Sequence, residues 1–143
     1  MSEVSTFRLY ILRATYLVIA AGLAVMIWPL LFDTRADLEH MRGVVRALLA
    51  AVGLLALLGL RYPLQMLPLL LFELTWKTIW ILAIGIPLWR AGALTPGTSQ
   101  TWVDTVAGVV ICLIAIPWPY VWRNYVRRPG ESWRRRNPAT RTV

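Results

Sequence analysis

Four apolar runs, each close to the length of a membrane-crossing helix, dominate this 143-residue chain. About 20 residues of helix, rising 1.5 Å each, match a hydrocarbon layer about 30 Å thick. Within that layer every backbone N–H and C=O must find its partner inside the protein, which for separate runs of this length means helix. Hydrophobic residues make up 58% of the chain and charged residues only 15%. A water-soluble domain this small could not bury so much apolar surface. The expected fold is all-α, an integral membrane four-helix bundle. Residues 1–122 form the four-span transmembrane domain, and 123–143 a basic cytoplasmic tail.

The first span is expected at about 9–32, with Arg13 near its start. Its length, and the lack of a small-x-small cleavage site before a polar region, argue against a cleaved signal peptide. The second has a clean core only from Ala47 to Leu60, about 21 Å of helix, so it must begin near Gly43 and place Arg46 at the interface. Asp33 and Thr34 are candidate caps for an extension preceding it. The third runs over about 67–89, with Pro68 in its first turn and a kink expected at Pro87. The fourth covers about 101–121, its end loosened by Pro117 and Pro119. Gly92, Pro96, Gly97 and Ser99 mark the intervening loop.

Arginine placement gives an orientation. Four spans put both termini on one side, together with Arg8, Arg13, Arg61, Arg123, Arg127, Arg128, Arg134, Arg135, Arg136 and Arg141. The other side holds Arg35, Arg42, Arg46 and Arg90 among the acidic Asp33, Asp37 and Glu39. The positive-inside rule then predicts cytoplasmic termini in a bacterial inner membrane. Aromatic belts agree, with Trp28, Trp89 and Trp102 at one boundary and Tyr10, Trp118, Tyr120 and Trp122 at the other. Arg123, Arg127, Arg128, Arg134, Arg135 and Arg136 are expected to contact anionic lipid headgroups beside the last span. Arginines interleaved with Tyr125 and Trp133 would also suit RNA, but a tail attached to a membrane span is explained by lipid alone.

Much chemistry is excluded by inventory. One histidine (His40) and one cysteine (Cys112) form neither a structural zinc site nor an intramolecular disulfide. The serines, Ser2, Ser5, Ser99 and Ser132, lie in or near polar segments, away from any buried base. No nucleotide-binding or metalloprotease motif is present. No catalytic group, metal or cofactor is implied.

The informative residues are charges within the spans. Lys77 is the sole lysine, and it lies about 14 Å into the third span, too deep to reach either surface easily. Glu73 sits one turn earlier, in the favourable order for an i, i+4 pair. Trp76 and Trp80 share that face, and Met66, Leu69 and Ile84 extend it. This stripe should face protein or an internal cavity. Arg13 matches Glu73 in depth and is a second candidate partner; Arg46 and Asp104 are candidates for a pair between the second and fourth spans. Asp104 heads a small-residue stripe, Gly108, Cys112 and Ala115, suited to close helix contact. Ala20 and Ala24 offer a similar notch in the first span.

Three roles fit the stripe. Glu73 and Lys77 neutralise each other and fix packing; or the stripe docks a larger membrane partner or a second copy; or Glu73 couples proton movement to transport of a small molecule. In span number, membrane glutamate and nearby aromatics the chain resembles the small multidrug transporters. They carry their glutamate in the first span, where this chain has only Arg13, so no residue role transfers. The order Leu-Pro-Leu-Leu-Leu-Phe-Glu-Leu-Thr-Trp-Lys-Thr-Ile-Trp over Leu67–Trp80 resembles small four-span bacterial inner-membrane proteins of unassigned function. That likeness covers mainly the second and third spans and implies the fold without an activity. A non-catalytic packing, assembly or accessory-subunit role leads.

Overall fold

Ser5 starts the first helix by accepting the Arg8 N–H on its side chain, which satisfies one of the donors a helix leaves unpaired at its N-terminus. The computed structural model describes residues 4–32 and 40–130. The first span is α1 (Thr6–Met26) followed by α2 (Trp28–Phe32). They are separate because Pro29 has no N–H to bond the carbonyl one turn back. Ile27 closes α1 on Leu23, and the chain re-enters helix with Leu30 and Leu31 both bonding to the Ile27 carbonyl. The second span is α3 (His40–Arg61).

The third span is α4 (Leu67–Trp80), a π-helical turn (Ile81–Gly85) and α5 (Ile86–Arg90). The Ile86 N–H reaches five residues back to Ile81, one more than in an α-helix. Pro87, where a kink was expected, follows directly, and π turns recur where the regular ladder is interrupted. The fourth span is α6 (Pro96–Ala115), beginning before the expected 101 and absorbing much of the expected loop. Thr95 caps it by accepting the Thr98 N–H. Ile116 is extended, as a residue before proline prefers, and so ends α6 ahead of Pro117. A short α7 (Trp118–Val121) and a second π turn (Trp122–Arg127) follow. No strand occurs among the described residues.

All four spans are long and apolar enough to cross a membrane. They pack as two hairpins, the first span on the second and the third on the fourth, with lighter contact between the hairpins. Leu12, Tyr16, Ala56, Leu67, Leu70, Cys112 and Ile116 belong to one buried cluster, all at the end of the bundle that carries the termini. Side-chain hydrogen bonds reinforce that end. Tyr16 donates to the Pro63 carbonyl at 3.1 Å, and Arg8 to the Ile116 carbonyl at 3.4 Å. Only 17% to 28% of each apolar window is buried within the chain. Most of the apolar surface therefore faces outward.

Tyr16 is fully buried because Gly59 of α3 leaves room for it: a methyl group at Gly59 would overlap the ring. The ring is tethered by its hydroxyl and cannot retreat. Gly59→Ala is expected to lower stability by about 1–3 kcal/mol, as overpacking does. Gly22, with nothing within 4 Å of its would-be methyl, serves as the control. Gly22→Ala should be neutral or stabilising by roughly 0.5–1 kcal/mol. Thermal unfolding in detergent compares the two, and equal effects would refute the account.

Candidate functional site

Pro68 lies in the first turn of α4, where its missing N–H breaks no helical bond. From there the helix carries Glu73 inward, leaving it 2% exposed. Lys77, one turn on, forms an ion pair with Glu73 through Oε2. Its ammonium also stands 4.3 Å from the centroid of the Trp76 ring, a cation–π arrangement. Glu73 Oε1 is buried and has no hydrogen-bond partner among the described residues. The carboxylate thus engages Lys77 through one oxygen only.

The lysine stem is held from the fourth span. A methyl group at Gly108 would lie 2.5 Å from Lys77 Cε and 3.0 Å from Cδ, so only glycine admits the stem there. Cys112 and Ala115, the next members of the small-residue stripe, are 2% and 1% exposed. Further along, Trp80 and Trp102 pack at a centroid distance of 6.3 Å and a 48° tilt. Gly85 receives the Trp102 ring, and a methyl group there would overlap it. Lys77 on Gly108, Trp80 on Trp102 and Trp102 on Gly85 form one seam between the third and fourth spans.

Other expected members of the site lie elsewhere. Arg13 is exposed, and its Nε donates to the Leu60 carbonyl at 3.2 Å in the last turn of α3. It does not pair with Glu73, because Leu12 and Tyr16 hold the inward face and Arg13 lies to one side of them. Arg46 donates to the Leu30 carbonyl at 3.4 Å, whereas the exposed Asp104 accepts from Gln100 at 2.9 Å. Arg46 and Asp104 remain apart because the second and fourth spans are diagonal in the bundle, without contact among the described residues. Ile84 is 47% exposed and off the stripe. It lies within the π turn, whose wider winding departs from the α-helical spacing that would place it on the stripe. Ala20 is buried as expected of the first-span notch, and Ala24 is exposed. Arg123, Arg127 and Arg128 are exposed. Asp33, Thr34, Arg134, Arg135 and Arg136 fall outside the described residues.

Sequence reasoning placed Trp102 in an interfacial belt and passed over Gly85. The available signal was that Gly85 is the only glycine in an otherwise bulky third span. Two cavities among the described residues lie elsewhere. One of about 160 Å³ is lined by Val4, Ser5, Arg8, Pro117, Pro119 and Tyr120, and one of about 310 Å³ lies along the first hairpin. Neither is lined by Glu73, Trp76, Lys77 or Trp80.

Comparison with family models, with curated proteins and with solved structures finds no match. The reading of the stripe therefore rests on its own geometry. Gly108→Ala should cost about 1–3 kcal/mol by crowding the anchored lysine. In a Glu73→Gln/Lys77→Ala background, where the stem is gone, that cost should fall towards zero. A double-mutant cycle on Trp80→Ala and Trp102→Ala should show a coupling of about 0.5–1.5 kcal/mol. Chemical or thermal denaturation in detergent measures both, and an unchanged Gly108→Ala cost would sink the seam.

Proposed function

We propose that this chain is a multi-pass protein of the bacterial inner membrane with a non-catalytic packing, assembly or accessory-subunit role. One observation carries the role: the Lys77 stem fills the Gly108 gap while its ammonium meets Glu73. The polar stripe is turned inward as a fastening between the third and fourth spans. The outward apolar faces suit lipid and a partner, either a second copy or a larger membrane protein. Membrane insertion is supported by four helices of sufficient length and apolarity. Cytoplasmic termini follow from the arginine excess on their side. Arg123, Arg127 and Arg128 then face anionic headgroups, each worth about 1 kcal/mol near the surface.

The second reading, a proton-coupled transporter, is favoured by Glu73 Oε1, a buried carboxylate oxygen with no partner among the described residues. Stability of Glu73→Gln, Lys77→Met and the double variant separates the two. A structural pair predicts that either single change strands a buried charge or dipole and costs up to about 3–5 kcal/mol, with the double milder than the Lys77 change alone. Additive losses would contradict it, and an unchanged melting curve for Glu73→Gln with lost transport would favour the coupling carboxylate. Reporter fusions test topology: those after Phe32 and Arg90 should read outside, and those after Leu60 and Val143 inside. A cytoplasmic signal after Phe32 would overturn that orientation.

A further inference from the structure

Glu73 Oε1 is a buried carboxylate oxygen to which no side chain or backbone group donates among the described residues. Buried polar atoms ordinarily have a partner, and lacking one costs most when the group is charged. The surroundings of the pair limit what that partner can be. Lys77 meets the fourth span at Gly108, where its Nζ is 3.6 Å from the position of a would-be methyl group. The third and fourth spans are antiparallel, so one turn back on α4, at Glu73, lies opposite one turn on along α6, at Cys112. The free Cys112 thiol is 2% exposed and feels the charges of both Lys77 and Glu73. Lys77 carries three N–H donors. One meets Glu73 Oε2 and the ammonium stands over the Trp76 ring, which leaves a donor for a further partner.

The partner must accept from an ammonium and donate to a carboxylate at once. Both oxygens of Glu73 share one carbon, so a group on Oε1 is also within reach of the ammonium on Oε2. We propose that a single water molecule is bound in the seam between the third and fourth spans. It accepts from Lys77 Nζ, donates one hydrogen to Glu73 Oε1 and directs the other to Cys112 Sγ. Three hydrogen bonds are what a buried water ordinarily makes. A cation in its place would meet the Lys77 ammonium and an anion the Glu73 carboxylate, so the occupant is neutral. The Lys77 side chain is 15% exposed against 3% for Glu73, so a water-sized molecule approaches from the lysine side. The inference rests on the packing role of the pair and deepens it: with both oxygens satisfied, the buried charges meet the condition under which their attraction offsets desolvation.

Pulsed X-ray radiolysis of the full chain in phosphatidylcholine nanodiscs tests this, with oxidation at each residue read by mass spectrometry. Hydroxyl radicals form from any water present, so a bound water marks adjacent side chains that bulk solvent does not reach. Cys112 is the only cysteine in the chain, which makes its oxidation unambiguous to assign. Cys112 should be oxidised despite its burial. A radical scavenger dissolved in the bulk should leave that oxidation unchanged while suppressing oxidation of the exposed Tyr125. Glu73→Leu/Lys77→Leu removes both charged holders together and should lower Cys112 oxidation by roughly tenfold, as expected when hydrogen bonds to charged groups are lost. Tyr125 oxidation should not change in that variant. Melting curves report whether the variant folds, and the scavenger comparison needs no variant. Absence of oxidation at Cys112, oxidation that the scavenger suppresses, or oxidation that the folded double variant retains overturns the bound water. Failure of the pairing itself is read separately, from the stabilities of the single and double Glu73 and Lys77 variants.

Discussion

Close approach at glycine is the constraint on which this bundle depends. Tyr16 occupies the space a methyl group would take at Gly59, Trp102 does so at Gly85, and the Lys77 stem does so at Gly108. One such contact joins the first span to the second, and the other two join the third to the fourth. Helices in an apolar environment gain little from burying more apolar surface, so association relies on fit between surfaces. Small residues let a large side chain on one helix enter the surface of the next. The two hairpins exist as units because each has its own sockets.

Within the second hairpin the ion pair is subordinate to that fit. Burying a carboxylate and an ammonium costs solvation that their attraction repays only with good geometry. Here the geometry is supplied from outside the pair: Gly108 admits the lysine stem, and Trp76 faces its ammonium. One carboxylate oxygen is still left without a partner among the described residues. Under the packing role proposed above, such a group specifies an arrangement more than it adds to stability.

Contact between the hairpins has a different character. It gathers at the end bearing the termini, where Leu12, Tyr16, Leu67, Leu70 and Ile116 are fully buried. The hydrogen bonds from Tyr16 to Pro63 and from Arg8 to Ile116 lie there too. Towards the opposite end the prolines and π turn redirect the spans, and apolar side chains such as Leu82, Ile84 and Val103 remain exposed. A chain with so much outward apolar surface is suited to surroundings that are themselves apolar.

The sequence by itself determined the all-helical class, the number of spans and the Glu73–Lys77 pairing. Each of these follows from local rules: run length against helix rise, backbone bonding within a segment, and i, i+4 spacing on one face. Proline positions likewise marked the breaks near Pro87 and Pro117, since a missing N–H acts on its own helix, whereas the break before Pro29 was seen only in the structure. Only the tertiary structure decided which helix meets which. It set Arg13 on the Leu60 carbonyl and kept Arg46 away from Asp104, because matching depth says nothing about azimuth around a bundle. It left Ile84 exposed and off the stripe, because Ile84 falls within the π turn, whose wider winding departs from the α-helical spacing on which the stripe was drawn. It also paired Trp102 with Trp80 across Gly85, because a glycine is a gap in one helix and becomes a socket only when another helix fills it.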